Sequence, residues 1–306
     1  MNTLDPRGSA AEDLANVWWL MFGMAAAVYL VVGGLIVYAS LRGRGTDGRG
    51  RPSRISDSTF IWVGGIIVPV LILGVLAVVT VRTTNELRQP DADAFHVEVI
   101  GHDWWWEVRY PGTDVVTANE VRVPAGQPVE VVLESVDVIH SFWIPQLAGK
   151  VDMIPGQRNI LRFTADEAGR YRGQCAEFCG LQHANMALEV VAEAEVEFDR
   201  WMARQERPRS EPVSEEAARG QVVFNRLSCA GCHTIRGTEA EGTLGPDLTD
   251  FGGRTSIGAN TVPNTSENLA AWLVDAQQFK PGNLMPPVQI EPDDLDAIVE
   301  YLENQR

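Results

Sequence analysis

Hydrophobic and polar residues follow three successive patterns along this chain of 306 residues. Residues 17–41 (VWWLMFGMAAAVYLVVGGLIVYASL) and 60–81 (FIWVGGIIVPVLILGVLAVVTV) are dominated by apolar side chains and hold no Asp, Glu, Lys or Arg. A helix needs about 20 such residues to cross the hydrocarbon core of a bilayer, so each run predicts a membrane span. Pro69 is compatible with the second span if a neighbouring helix or a local backbone adjustment satisfies the carbonyl it frees. A cleaved secretory leader is the competing reading of the first run. The residues ahead of it, LDPRGSAAEDLAN, carry more acid than base, and the run is too long for a leader's apolar core.

From Phe95 the period becomes two. FHVEVIGH, EVRVPAG, QPVEVVLES, RNILRFTADEAGRYRG and MALEVVAEA are short β-type runs broken by Gly, Pro and Asp. They predict a sandwich or barrel of roughly 100 residues over 95–194. VEFDRWMARQ reads as a helix and ERPRSEPVS as a polar, Pro-containing linker, together occupying 195–213. From residue 214 the period is helical: SEEAARGQVVFNRL opens on a cap signal, and SENLAAWLVDAQQF and EPDDLDAIVEYLENQ follow, with Pro292 in the first turn of the last. Residues 214–306 are thus expected to form a small all-α domain, and no internal repeat is present.

Charge adds topology. The loop 42–59 holds Arg42, Arg44, Arg49, Arg51 and Arg54 against Asp47 in the stretch RGRGTDGRGRPSR. A basic loop between two spans is expected on the cytoplasmic side, which puts the N-terminal segment 1–16, both termini and everything after residue 81 outside. Residues 82–306 carry 19 Lys and Arg against 36 Asp and Glu, a net charge of −17. That excludes nucleic acid as a partner; it serves solubility or the steering of a basic protein.

The chain has only four cysteines, in two pairs. Cys229 to His233 reads CAGCH, the C-x-x-C-H attachment sequence of a c-type haem: Cys229 and Cys232 can each form a thioether, and His233 is delivered to the iron. Half a zinc site is the alternative, but no second Cys pair follows to complete it. Met285, in KPGNLMPP, is the only methionine after the motif and the candidate second axial ligand, which would raise the reduction potential relative to a second His. TLGPDLTDFGGR, with Pro246, resembles the loop that orients the proximal His in monohaem cytochromes c, and residues 215–306 are similar to that family.

The other pair stands in GQCAEFCGLQHANM, where Cys175, Cys179, His183 and Met186 crowd into twelve residues. His140 opens the upstream stretch HSFWIP. Two imidazoles, two thiolates and a thioether select soft-metal chemistry. A disulfide between the two cysteines leaves His183 and Met186 unexplained. Zinc bound by two Cys and two His leaves Met186 idle, and a mononuclear blue copper strands one thiolate. Two copper ions bridged by both sulfurs use every donor, with one His on each ion and the weak outer positions taken by Met186 and a backbone carbonyl.

These motifs, H-S-F-W-x-P and C-x-E-x-C-x-x-x-H-x-x-M, resemble cytochrome c oxidase subunit II over essentially the whole chain. The appended cytochrome c matches the caa3-type branch. The resemblance implies a two-helix transmembrane hairpin, a cupredoxin-like CuA domain and a class I cytochrome c domain in a bacterial inner membrane. It assigns His140, Cys175, Cys179, His183 and Met186 as CuA ligands, with Glu177 supplying its carbonyl and its carboxylate a possible magnesium site shared with the catalytic subunit. It matches Trp104 to the aromatic that conducts electrons into CuA, although Asp103 and Trp105 depart from the Gln and Tyr common in mitochondrial relatives. Strand alternation in GHDWWWEVRY is expected to send Trp104 and Trp106 to one face and Trp105 to the other.

The implied function is electron input: from cytochrome c or another donor to haem c, on to CuA, and then to oxidase subunit I, which reduces oxygen and pumps protons. The chain itself contributes no oxygen site. Implied partners are subunit I, further oxidase subunits and membrane lipid. A CuA-type nitric oxide reductase subunit is the alternative from the same chemistry, and CAGCH argues against it. A membrane-anchored copper and haem carrier outside any enzyme is the alternative from another class. His96 and His102 are expected to be hydrogen-bonded or surface residues, since the copper donor count is complete without them.

Overall fold

The computed structural model describes residues 2–42, 56–207 and 212–306. Most of the Arg-rich loop and the centre of the polar linker lie outside the described residues. The chain divides into two units, residues 12–90 and the remainder.

The first unit is helical. Helix α1 runs Ser9–Arg42, α2 Asp57–Trp62 and α3 Val68–Leu87, with a π-helical turn at Val63–Ile67 joining the last two. α1 begins well ahead of residue 17 because SAAEDLAN is itself a good helix former with Glu12 in the first turn. The π turn stands just before Pro69. Proline offers no N–H to the preceding turn and its ring crowds the carbonyl there, so a widened turn absorbs the defect. Both helical stretches, Ser9–Leu41 and Asp57–Leu87, are long and apolar enough to cross a membrane.

The second unit holds two five-stranded sheets. In one, β1 (Phe95–His102) pairs antiparallel with β2 (Trp105–Arg109) and parallel with β5 (Pro128–Ser135). Strand β3 (Val116–Ala118) lies at one edge and β8 (Asn159–Thr164) at the other. In the other sheet β4 (Glu120–Pro124), β10 (Ala187–Glu193), β9 (Gly169–Cys175), β6 (His140–Trp143) and β7 (Val151–Met153) follow in that order. Alternation sends Val97, Val99, Val129, Val131 and Leu133 inward, all buried. Trp106 and Phe142 meet edge to face at 5.6 Å, one from each sheet. Burying each such side chain contributes about 1.5–3 kcal/mol.

Register decides where the chemistry lands. β6 pairs with β9 through Phe142 and Cys175, and β9 with β10 through Gln174 and Ala187. The first residue of β6, the last of β9 and the residue before β10 therefore meet at one end of the sheet. They are His140, Cys175 and Met186. The N-terminal arm packs on this unit, with the Arg7 amide donating to Gln146 O at 2.7 Å and the Asp166 amide to Arg7 O at 3.0 Å.

Helix α4 (Glu195–Gln205) buries Phe198 and Trp201, and Trp201 Nε1 donates to Asp250 Oδ2 at 3.3 Å. The C-terminal helices are α5 (Glu215–Arg226), α6 (Ser266–Val274) and α7 (Pro292–Glu303). Ser214 and Thr265 cap α5 and α6, each accepting a backbone N–H on its hydroxyl. The helix expected through Phe279 stops at Val274. Asp275 turns extended (φ −157°) and its carboxylate accepts the Gln277 amide, starting a separate short turn. α5 and α7 cross at Gly220, where an added Cβ would lie 2.0 Å from Ala297 O. Phe224 and Tyr301 pack edge to face at 5.8 Å beside this crossing. Gly220→Ala is expected to force the helices apart and destabilise this domain by about 1–3 kcal/mol, read as a lower urea midpoint with unchanged slope.

Candidate functional site

Cys175 ends β9 and Cys179 follows in the loop above it; their sulfurs stand 3.7 Å apart and both residues are buried. Each faces its own imidazole. His140 Nδ1 is 3.9 Å from Cys175 Sγ, and His183 Nδ1 is 3.6 Å from Cys179 Sγ. Met186 Sδ lies 3.8 Å from Cys179 Sγ, and the Glu177 carbonyl 3.2 Å from Cys175 Sγ. The five side chains and the carbonyl singled out in the sequence thus converge. Glu177 is exposed, and its carboxylate accepts the Phe178 amide at 3.2 Å.

His140 is fully buried, and its other nitrogen, Nε2, is 2.9 Å from Asp137 Oδ1. That contact sets the ring so that Nε2 faces the carboxylate and Nδ1 faces the sulfur. Burial pulls the imidazole pKa down, but Asp137 and the Cys175 thiolate outweigh it and raise it to about 9. Gly101 on β1 backs the ring: a Cβ there would sit 2.7 Å from His140 Cδ2. A hydrogen bond from the Cys179 thiol, with a further one from His140, holds Cys175 well below the usual thiol range. Cys179 is pushed up in turn, chiefly by its bond to Cys175. One negative charge is shared where two thiolates would repel. The donor set is soft, dry and mutually aimed, which fits one or more soft metal cations.

The CAGCH motif forms a second cluster. Cys229 and Cys232 flank a tight 3₁₀ turn and are half-buried. His233 Nδ1 donates to Pro246 O at 2.8 Å, leaving Nε2 free. Burial lowers the His233 pKa and keeps the ring neutral, the form that binds metal. Gly245 lies against the ring, where an added Cβ would come within 2.6 Å of Cε1. Met285 is half-buried against the core of Phe224, Ile235, Leu269 and Ile298. Its amide donates to Asn283 Oδ1 at 2.8 Å, and its carbonyl accepts from Gln277 at 2.9 Å. Arg254 is buried with Nε unpartnered, a donor suited to an acidic group of a bound cofactor. A haem fits this set: two thiols for its vinyl groups, a free imidazole nitrogen, a thioether and a buried guanidinium. Arg254 closes the same TLGPDLTDFGGR segment that carries Pro246, which is the signal that could have found it.

Trp104 stands outside strand β2, in the turn after β1, so alternation does not place it with Trp106. Trp106 is buried in the core, and Trp105 stacks on His102 at 4.2 Å. Trp104 Nε1 donates to Cys179 O at 2.8 Å. His102 bonds Glu107 at 3.0 Å and His96 lies 3.6 Å from Glu130. Neither histidine joins the sulfur cluster.

One residue that sequence reasoning passed over joins the two clusters. Lys280, from the loop leading to Met285, is buried, and its Nζ donates to Trp104 O (2.7 Å), Asn185 O (2.7 Å) and Gly258 O (2.9 Å). Burial lowers its pKa to about 7. Three carbonyls nevertheless need three N–H donors, which only the ammonium form has.

Residues 112–194 match the family described as cytochrome c oxidase subunit II, periplasmic domain, and residues 217–306 match cytochrome c. Cytochrome c oxidase subunit 2 of Alkalihalophilus pseudofirmus is 34% identical over 99% of this chain and 90% of its own length. Cytochrome c oxidase subunit 2 of Bacillus subtilis is 31% identical over 99% and 91%. The periplasmic domain of cytochrome oxidase subunit II of Bradyrhizobium japonicum, a crystal structure, is 30% identical over 38% of this chain and 95% of that one, with a TM-score of 0.37.

Gly101→Ala would drive a methyl group into the His140 ring and turn it off Asp137. Soft-metal affinity of the sulfur cluster is expected to fall by about tenfold or more, measured by competition with a chelator. Wild-type affinity would show that β1 does not set the ring.

Proposed function

The chain belongs to the cytochrome c oxidase subunit II family, and from that premise we propose that it is the electron-input subunit of a caa3-type oxidase. His140, Cys175, Cys179, His183 and Met186, with the Glu177 carbonyl, are its dinuclear CuA ligands. Cys229, Cys232, His233 and Met285 hold a covalent haem c. When bound, the two groups supply one-electron chemistry, taking electrons from a cytochrome c or other donor and passing them to the catalytic subunit for oxygen reduction coupled to proton pumping. The observation that carries the reading is the mutual facing of two thiols, two imidazoles and a thioether within 4 Å contacts.

The residues of this chain contribute positioning and dryness. Asp137 and Gly101 fix the His140 ring, and Pro246 and Gly245 fix His233. The buried pocket keeps water from the sulfurs and holds the donors in one arrangement, which limits ligand movement when charge is added. The exposed Glu177 carboxylate is available to a magnesium ion at the contact with the catalytic subunit. The helices α1 and α2–α3 are the two spans of the hairpin, with the basic loop cytoplasmic and both soluble domains and both termini outside.

Two measurements test this. The oxidised protein is expected to show an EPR spectrum of seven hyperfine lines, as one electron shared by two equivalent copper nuclei requires; four lines would mean a single copper. Deleting residues 215–306 is expected to leave that spectrum intact while making oxidase turnover depend on added soluble cytochrome c. Turnover without any added carrier would contradict the assigned role of the haem domain.

A further inference from the structure

The polar, Pro-containing linker suggests a haem domain on a tether that meets the copper domain by diffusion, at a high effective concentration. The contacts between the two domains are of another kind. Lys280 from the haem domain is only 3% exposed, and two of its three carbonyl partners, Trp104 O and Asn185 O, belong to the β domain, while Gly258 O belongs to its own. A buried ammonium is costly unless each N–H is matched, so these carbonyls, from three separate segments, accept it in one relative position of the domains. Around it, Gln182 Nε2 donates to Pro281 O at 2.6 Å and the Ala187 amide to Ala259 O at 3.2 Å. The Thr255 amide donates to the buried Glu120 carboxylate at 2.9 Å. Gly282 approaches Leu181 so closely that an added Cβ would sit 2.8 Å from its Cδ2, with the Trp104 ring at 4.0 Å. Its φ of +84° is itself a conformation that favours glycine.

The peg is placed where it matters for the proposed reaction. Going forward along the chain, Lys280 leads through Pro281, Gly282, Asn283 and Leu284 to Met285. On the other side its acceptor residue, Trp104, is one hydrogen bond from the Cys179 backbone. Resting on the function proposed above, we propose that Lys280 is a positioning residue that locks the haem domain onto the Trp104 face of the copper domain. Haem-to-copper electron transfer is then a fixed-pose step within one rigid unit, and the Trp104 face is covered in the intact chain.

The test uses the full oxidase complex with Lys280→Met, which keeps the stem length and removes the three donors. Two readouts are taken: hydrogen–deuterium exchange in peptides containing Ala187 and Thr255, and the rate of haem-to-copper transfer after photoreduction, as a function of solvent viscosity. Interface exchange is expected to accelerate by about tenfold or more, since charge-assisted hydrogen bonds to buried acceptors are lost. Transfer is expected to slow and become viscosity-dependent, while the haem and copper spectra stay as in the wild type. Unchanged exchange with an unchanged, viscosity-independent rate would overturn the proposal. Absence of the haem or copper signal in the wild type would instead overturn the underlying function. If Lys280→Met fails to assemble, Gln182→Ala removes a neighbouring bond from the copper side. It is expected to move both readouts in the same direction by a smaller factor, and no movement would likewise overturn the lock.

Discussion

Two sulfur atoms 3.7 Å apart in a buried pocket cannot both carry a full negative charge without a cation between them. Much of this protein is arranged around that conflict. Without metal, one proton is shared across the pair, drawing Cys175 down and pushing Cys179 up. A soft cation held by Cys175 and Cys179 would remove the need for that proton. The surroundings then have to be stiff, because a pocket that could relax would close into a disulfide or scatter its donors. Stiffness comes from the sheet: Cys175 is held by its pairing with Phe142, His140 by Asp137 on one side and Gly101 on the other.

The helical domain serves the same end. Its histidine is kept neutral by burial and aimed by a backbone carbonyl, so the ring nitrogen that remains has its lone pair free. Its Met285 loop is fastened at Asn283 and Gln277, and Lys280 at the start of that loop reaches into the β domain. The two domains share buried polar contacts at Glu120, Trp201 and Lys280. A surface built of matched buried polar groups fixes orientation more tightly than apolar contact alone, since sliding would leave several of them unpaired.

Much of the fold was legible from spacing alone. FHVEVIGH, with its period of two, is strand β1 to the residue, and the cap signal at Ser214 opens α5. The misplacements have local causes. Asp275 ended a helix whose apolar pattern ran on, because its carboxylate offered the backbone an alternative partner. Trp104 left the strand pattern because the turn between β1 and β2 begins one residue before it, so its indole bonds the loop of Cys179 while Trp106 enters the core.

What the sequence by itself determined was the inventory of donors: C-x-E-x-C-x-x-x-H-x-x-M and C-x-x-C-H place soft ligands within a few residues, and short separations need no fold to bring them together. The tertiary structure alone decided the rest. His140 lies 35 residues from Cys175 and meets it through sheet register. Asp137 acquires its role from a contact that only the turn before β6 creates. Lys280, an unremarkable cation in KPGNLMPP, lies 176 residues from the Trp104 carbonyl it binds. No local pattern marks such a pair, because its energy comes from the exclusion of water between two domains, and that environment exists only once both are folded and joined.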